Sequence, residues 1–242
     1  MDSLYIVIPA YNEKETIRSV IDQWYPVVEK IGGDSRLVIV NDGSKDETYE
    51  IMKECAQQRP LFIPLTKENG GHGAAVLYAY KYALSKLGGA GSYIFQTDSD
   101  GQTLPEEFQA FWELRSEYDM VIGHRSGRQD GFSRVFVTKV LKLTLRICFG
   151  VSITDANTPF RLMKAETLRE NIGLIPRDYN LSNVILSVIY ARKNLSVKYL
   201  PITFKPRQGG VNSINLKKIF KIGVQALKDF RAINKALKKE GF

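Results

Sequence analysis

The first half of the chain alternates short apolar runs with longer amphipathic stretches. The apolar runs, which predict strands, lie at residues 4–8, 37–40, 61–65, 93–96 and 120–122. The helical patterns between them begin near Lys14 and Asp46 and cover residues 73–86 and 105–117. Because near-continuous apolar strands joined by helices must be covered on both faces, this order predicts an α/β fold with a mostly parallel central sheet flanked by helices.

The second half of the chain is less regular. Its patterns predict helices over residues 133–148 and 181–192, an extended piece at 159–163, a strand at 197–204 and a glycine-containing loop at 208–212. No internal repeat or Pro/Ser-rich linker divides this half from the first. We therefore expect residues 1–213 to form one unit.

Residues 214–242 change to the pattern of a long amphipathic helix. One narrow face collects the apolar side chains Ile219, Ile222, Ala226, Phe230, Ile233 and Leu237, and lysines occupy the opposite face. This segment holds six of the chain's eight net positive charges. Two interpretations follow: the apolar face packs on the domain, or the helix lies on an anionic membrane surface with its lysines at the headgroups.

Composition narrows the class of protein. The 242 residues suffice for a full core, and the two cysteines, Cys55 and Cys148, lack metal-binding spacing, which favours a reducing compartment. Residues 1–10 lack signal-peptide features, and no apolar stretch reaches the roughly 18 residues of a membrane span. We expect a cytoplasmic protein, peripheral at the inner face of the membrane. The basic residues gather in one helix without a recognition motif, so nucleic acid is not an expected partner.

The strongest chemical signal is the sequence Asp98-Ser99-Asp100-Gly101-Gln102, directly after an apolar strand. Ligands bind at the carboxyl ends of strands in such sheets, and carboxylate and amide oxygens suit Mg²⁺ or Mn²⁺. The alternative is a solvated turn rich in Asp and Gly.

Three other segments bring polar residues to strand ends. Residues 9–13 (PAYNE) offer an aromatic ring and a carboxylate, and residues 41–44 (NDGS) offer Asp42 to a base or ribose. Residues 69–75 (NGGHGAA) form a glycine-rich turn that opens a helix, which lets backbone approach a phosphate or ribose. His72 and His124 are isolated in the sequence, and we interpret both as loop or packing residues.

The segments IVIPAYNE, VNDGSKDET, ENGGHGAA and TDSDGQ together resemble the family 2 GT-A glycosyltransferases, and among them the dolichyl- or polyprenyl-phosphate mannosyl and glucosyl synthases. The resemblance runs from Ile6 to about Ser213 and implies a Rossmann-like GT-A fold, with a nucleotide-sugar half at residues 1–123 and an acceptor half at 124–213. It implies that the donor is bound by Pro9, Ala10, Tyr11, Glu13, Asp42, Gly71, Asp98 and Ser99. It also implies that Asp98, Asp100 and Gln102 hold the metal.

The acceptor side is also similar to that family. The resemblance assigns the acceptor phosphate to Arg125, Arg134, Thr138, Arg161 and Arg207, and catalysis to Asp98, Asp100, Arg125, Arg134 and Asp155. Guanidinium groups suit this role because they hold phosphate through paired, charge-assisted hydrogen bonds. The chain departs from the family pattern at Pro159, where a glycine is expected, and after Ser213, where the usual lysine is missing.

These features predict an inverting transfer of a hexose from a UDP- or GDP-sugar to a dolichyl or undecaprenyl phosphate. An ionised phosphate needs no strong general base, whereas the alternative, a saccharide hydroxyl in cell-surface polysaccharide synthesis, would need a base such as Asp155 or Asp178. A nucleotide-binding regulatory protein without transferase activity is a further alternative. A membrane-protein partner is expected if the chain does not itself contact lipid.

Overall fold

The computed structural model describes residues 2–125, 132–176, 179–205, 229–235 and 238, with only the backbone at residues 125 and 132–138. The strands are β1 (Ser3–Ala10), β2 (Arg36–Asp42), β3 (Phe62–Lys67), β4 (Ser92–Gln96), β5 (Met120–Arg125), β6 (Arg161–Lys164) and β7 (Val197–Ile202). The helices are α1 (Ile17–Ile31), α2 (Thr48–Ala56), α3 (His72–Lys86), α4 (Phe108–Glu113), α5 (Phe132–Phe149), α6 (Ala165–Asn171) and α7 (Ser182–Arg192). Short 3₁₀ turns precede α4 at Pro105–Glu107 and follow α6 at Ile172–Leu174.

The seven strands form one sheet in the order β3-β2-β1-β4-β6-β5-β7. Strands β1 to β4 are mutually parallel, β5 and β7 are parallel, and β6 runs antiparallel to both of its neighbours. The predicted α/β fold with a mostly parallel, helix-flanked sheet is therefore confirmed. Both predicted halves contribute strands to this sheet.

Each face of the sheet carries its own hydrophobic core. Because side chains alternate along a strand, Leu4, Ile6 and Ile8 of β1 enter the core beneath α1, α2 and α4, while Tyr5 and Val7 enter the core beneath α3 and α7. An aromatic group fills the first core around Phe95, whose ring centroid lies 4.6 Å from that of Phe160 and 5.3 Å from that of Trp24. Burial on both faces explains why the strands are almost continuously apolar.

Several predicted boundaries shift in the structure. The first helix begins at Ile17 rather than near Lys14, because residues 13–16 form a turn in which Thr16 and Ile17 both donate backbone hydrogen bonds to Glu13. The predicted helix over 105–117 is a 3₁₀ turn followed by the short α4. Helix α6 was not predicted from the sequence, and it follows β6 without an intervening loop.

Residues 229–235 are helical and pack on the domain. Phe230 is fully buried, with its ring centroid 5.4 Å from that of Phe149, and the Asn234 side chain donates a hydrogen bond to the Cys148 carbonyl. This part of the predicted C-terminal helix therefore packs on the domain. Most of the remainder of that helix lies outside the described residues. In the parts of the chain that the structure describes, no helix has the length and apolar character to cross a bilayer.

Candidate functional site

A cleft of about 380 Å³ opens at the carboxyl ends of the first four strands. Strand β1 lies between β2 and β4, so the order of the strands in the sheet reverses direction at β1. Open α/β sheets bind ligands in the crevice at such a point. The cleft is lined by Pro9, Ala10, Tyr11, Glu13, Asp42, Asn69, Gly71, His72, Ala75, Asp98, Ser99 and Asp100. All eight predicted donor-binding residues are therefore brought together in one cavity of a size that suits a small-molecule ligand.

The loop after β1 is fixed by hydrogen bonds to the loop after β2. Asn12 adopts a left-handed conformation with φ 54°, its backbone N–H bonds the Ser44 hydroxyl, and its side-chain oxygen accepts from the Lys45 backbone. The Glu13 backbone N–H in turn bonds the Thr48 hydroxyl. These bonds hold the two loops together without a contribution from ligand.

Tyr11 and Glu13 of the first loop have different environments. Tyr11 leaves 43% of its surface exposed at the cleft, so its ring is available to a flat ligand such as a base. The Glu13 side chain is buried and accepts a hydrogen bond from the Thr16 hydroxyl, which also bonds the Ser99 carbonyl. Thr16 thereby ties the first loop to the loop after β4.

Asp42 anchors the glycine-rich turn. Its buried carboxylate accepts hydrogen bonds from the backbone N–H groups of Gly70, at 3.0 Å, and Gly71, at 2.8 Å. It also forms an ion pair with the Lys67 ammonium at 2.8 Å, and its own carbonyl accepts from the Asn69 side chain. The structure thus shows a second task for Asp42, the shaping of the turn, beside the predicted contact with base or ribose.

Glycine is required where this turn meets the rest of the protein. Gly71 has φ 87°, and a Cβ there would lie 2.5 Å from the Asn180 side-chain oxygen. A Cβ on Gly73 would overlap the Tyr179 carbonyl and the Asn180 backbone. The start of α3 therefore lies directly against the segment that precedes α7, and no side-chain cap occupies the N-terminus of α3. The backbone N–H groups of the first turn of α3 have no acceptor within the helix, and they and the helix dipole favour an anion at that end.

The two aspartates after β4 share the cleft with a histidine. His72 Nε2 lies 2.9 Å from Asp98 Oδ1, with 48% of the imidazole side chain and 28% of the Asp98 side chain exposed. Desolvation opposes the charged imidazole, but the negative charges of Asp98, Asp100 and Asp42 and the Asp98 hydrogen bond outweigh it and raise the pKa of His72 above 6.5. The sequence predicted a loop or packing residue at position 72, whereas in the structure the His72 side chain lines the cleft and contacts Asp98.

The carboxylate oxygens in the cleft suit a divalent cation that is also bound by ligand phosphates. Mg²⁺ and Mn²⁺ usually take one or two carboxylates from the protein and complete their shell with phosphate oxygens and water, and Asp98 and Asp100 provide such carboxylates beside the N-terminus of α3. Within the described ranges, no three His, Cys, Asp or Glu side chains form a ready-made metal cage. Gln102, predicted as a third ligand, donates its side-chain amide to the Lys205 carbonyl and does not line the cleft.

The predicted acceptor residues lie largely outside the described side chains. Arg125 ends β5, and Arg134 and Thr138 belong to α5, but only their backbone is described. Arg207 and Asp178 lie outside the described residues. Asp155 is partly exposed in the loop before β6 and is not part of the cleft lining, although it accepts a hydrogen bond from the Asn157 backbone.

Arg161 has a structural environment that differs from its predicted role. The side chain is fully buried, and its guanidinium donates to the backbone carbonyls of Thr158, Asn183 and Ala156 and to the Ser187 hydroxyl. Burial lowers the pKa of Arg161, and the electrostatic effects of Tyr80 and Asp155 offset part of this change. The structure therefore contradicts the prediction that Arg161 binds the acceptor phosphate, because the buried guanidinium donates its hydrogen bonds to acceptors of the protein itself.

Besides His72, two residues of the cleft had no predicted role in the site: Asn69 and Ala75. Both belong to the NGGHGAA segment, which was predicted from the sequence as a turn that approaches a phosphate or ribose, but these two side chains were not singled out. Their positions depend on where Asp42 and the Tyr179 backbone hold the turn, and a linear sequence does not show those contacts.

The chain belongs to glycosyl transferase family 2, whose family model matches residues 5–171. Among curated proteins it is similar to an undecaprenyl-phosphate 4-deoxy-4-formamido-L-arabinose transferase of Pectobacterium atrosepticum, with 28% identity over 200 residues that cover 81% of this chain and 58% of that protein. A protein with the same description from Edwardsiella ictaluri is 24% identical over 221 residues, covering 90% of this chain and 64% of the relative. The chain thus spans roughly three fifths of the length of these relatives.

Among solved structures, the fold is similar to glucosyl-3-phosphoglycerate synthase from Mycobacterium tuberculosis, crystallised with Mn²⁺ and uridine-diphosphate-glucose. The TM-score is 0.65 at 18% identity, and the likeness covers 97% of this chain and 79% of the other. The expected resemblance to GT-A glycosyltransferases of family 2 and to polyprenyl-phosphate sugar transferases is therefore confirmed.

Proposed function

We propose that the chain is a metal-dependent glycosyltransferase that moves a sugar from a UDP- or GDP-sugar to a polyprenyl phosphate. The observation that carries this proposal is the single cleft in which Tyr11, Glu13, Asp42, Gly71 and the Asp98–Asp100 pair meet from four strand ends. Support for the acceptor comes from the relatives described as undecaprenyl-phosphate sugar transferases. The solved structure with Mn²⁺ and UDP-glucose supports the donor class and the metal.

Each part of the cleft suits one part of a nucleotide sugar. The exposed Tyr11 ring would stack on the base, and the buried Glu13 carboxylate would accept hydrogen bonds from the nucleoside. The diphosphate would lie at the N-terminus of α3, where the helix dipole favours negative charge, and the His72 side chain would lie beside it. Asp98 and Asp100 would hold Mg²⁺ or Mn²⁺, which when bound neutralises charge on the departing nucleoside diphosphate.

The transfer itself requires little proton chemistry from the protein. An acceptor phosphate oxygen forms a bond to the anomeric carbon while the bond from that carbon to the diphosphate oxygen breaks, and the electron pair leaves with the diphosphate. The second pKa of a phosphate monoester is about 6, so the nucleophile arrives ionised. The arginines predicted for the acceptor, Arg125, Arg134 and Arg207, would offset the repulsion between acceptor and donor phosphates.

The test combines donor binding with transfer. Calorimetry with UDP and GDP, each with and without Mn²⁺, identifies the base and is expected to show tighter nucleotide binding with the metal. Transfer assays then pair UDP- and GDP-sugars with a polyprenyl phosphate or a saccharide acceptor. We expect Asp100→Asn to lower transfer by about 100-fold or more with an unchanged unfolding temperature. The control Asp34→Asn, an exposed residue at the opposite edge of the sheet, is expected to transfer normally.

The outcomes separate the alternatives. Transfer to a saccharide but not to a polyprenyl phosphate would establish the hydroxyl-acceptor alternative. Nucleotide binding without turnover of any donor in the panel would instead indicate a regulatory protein. Full activity of Asp100→Asn would remove the Asp98–Asp100 pair from the reaction.

A further inference from the structure

Helix α5 presents an apolar stripe to solvent. Val140, Leu143 and Ile147 expose 45%, 60% and 74% of their surfaces. Their spacing of three and four residues places them within an arc of about 60° on one side of the helix. Leu145 and Phe149 are buried in the core beneath the helix. The stripe is therefore a second apolar face, separate from the one that attaches α5 to the domain.

This concentration of exposed aliphatic surface is unusual within the molecule. In the described parts of the chain five large hydrophobic side chains are exposed, and three of them belong to this stripe. The other two, Tyr11 and Tyr78, each end in a polar hydroxyl. Single exposed apolar residues need no explanation, but a contiguous group of purely aliphatic ones marks an interaction surface.

Basic residues border the stripe. Lys139, Lys142 and Arg146 are exposed and follow the stripe along one side of the helix, at about 40–100° from its edge. The sequence of α5 contains no Asp or Glu. The three aliphatic and three basic residues together form what we call the α5 face.

We propose that the α5 face binds an anionic lipid bilayer. The aliphatic stripe would enter the boundary between headgroups and acyl chains, and the basic border would meet the negatively charged headgroups, which is the arrangement of helices that lie in the membrane interface. The charge pattern argues against a second copy of the chain as occupant. In a two-fold contact that pairs the α5 helices antiparallel, the basic borders of both copies would lie on the same side of the contact and repel each other.

The α5 face differs from the described part of the C-terminal helix, which the sequence suggested as a membrane contact. The described apolar residues of the C-terminal helix, Phe230 and Ile233, are already buried against the domain, whereas Leu143 and Ile147 are open. Membrane binding by α5 requires neither donor nor metal. The proposal is thus independent of the sugar-transfer reaction, and a protein inactive in transfer would still test it.

Cosedimentation of the full chain with vesicles tests the proposal directly. Vesicles of phosphatidylcholine alone are compared with vesicles of phosphatidylcholine and phosphatidylglycerol. We expect binding to the anionic vesicles, weakened at least about tenfold when NaCl rises from about 0.1 M to about 1 M, because the Debye length falls from about 10 Å to about 3 Å. The double variant Leu143→Ser, Ile147→Ser is expected to bind at least about tenfold more weakly at either salt concentration.

Helix α3 provides matched controls. Tyr78→Ser removes an exposed apolar side chain and Lys81→Gln removes an exposed charge on that helix, and both variants are expected to bind vesicles like the unmodified chain. The α5 double variant changes only exposed positions, so we expect it to keep the unfolding temperature of the unmodified chain. An unfolding temperature lowered by the change would direct the test to Lys139→Gln, Lys142→Gln, which leaves the aliphatic residues in place and should lose the preference for anionic vesicles.

Two results would overturn the proposal. Equal vesicle binding by the α5 variants and the unmodified chain would assign membrane contact to another segment. An unmodified chain that ignores anionic vesicles but forms a dimer, dissociated by Leu143→Ser, Ile147→Ser in analytical ultracentrifugation, would show that α5 binds a second copy instead.

Discussion

Replacing Asp42 with asparagine tests whether its carboxylate holds the glycine-rich turn. Only 3% of the Asp42 side chain is exposed, and it accepts two backbone hydrogen bonds and the ion pair from Lys67. An asparagine of the same shape keeps one acceptor oxygen but places an NH₂ group where a second acceptor is needed. At least one of the donors from Gly70, Gly71 and Lys67 then faces another donor.

The magnitude follows from the burial of the pair. Hydrogen bonds to charged groups contribute about 1.5–3 kcal/mol each, and removing one partner of a buried ion pair costs about 3–5 kcal/mol. Lys67 retains 19% exposure and a bond to the Glu68 carbonyl, so the lower end applies. We expect a loss of about 3 kcal/mol in the free energy of unfolding. For a chain of this length that corresponds to a fall of roughly 6–12 °C in the unfolding temperature.

The assay is thermal and urea unfolding followed by circular dichroism, with nucleotide binding measured on the same samples. Glu54→Gln is the matched control: the Arg18–Glu54 pair is equally short, at 2.7 Å, but its side chains are 48% and 64% exposed. Its removal is expected to cost less than about 1 kcal/mol. Equal losses in Asp42→Asn and Glu54→Gln would refute the reasoning, since burial would then have no part in the stability of the turn.

Two further changes test other parts of the structure. We expect Gly73→Ala to lower the unfolding temperature by several degrees and to weaken UDP binding in calorimetry, because its methyl group would overlap the Tyr179 backbone, whereas Gly89→Ala, with open space around it, should do neither. For Asp119, burial opposes ionisation, but hydrogen bonds from Ser196 and Thr167 outweigh it and hold the pKa of the carboxyl below 3.8. The ionised carboxylate therefore stabilises the fold fully above about pH 4, and this stabilisation is lost as the pH falls through the lowered pKa. We expect Asp119→Asn to be less stable than the unmodified chain at pH 7 and to lose less stability on acidification. Identical slopes of unfolding free energy against pH in the two proteins would contradict this.

The sequence was sufficient to predict the strands and the donor side of the cleft. The runs of β1, β2 and β4 are buried on both faces, so their hydrophobic pattern is strong, and the carboxyl ends of parallel strands necessarily share one edge. That is why PAYNE, NDGS and the segment around Asp98 could be assigned to one site from their order along the chain alone. The expected roles of these residues toward donor and metal stay predictions until binding is measured.

What the sequence did not show depends on contacts between distant segments. Arginine is seldom buried, and nothing near Arg161 in the sequence indicates that carbonyls from residues 156 and 183 would surround its guanidinium. The Asp98 contact likewise gives His72 a position that its neighbours in the sequence do not indicate. The position of β6 between β4 and β5 also depends on contacts between distant segments, because nothing in its four residues indicates which strands it pairs with.

The reversed direction of β6 determines where the segment before it lies. Arg161, the first residue of β6, pairs with Gln96, the last residue of β4, so the amino end of β6 meets the edge at which the parallel strands finish. Residues 155–160 consequently border the same rim as the loops that form the cleft, although they come from the other half of the chain. If the chain transfers a sugar as proposed, we expect substitutions in that short segment, including Pro159, to change sugar or acceptor preference and to leave the nucleotide-facing loops unchanged.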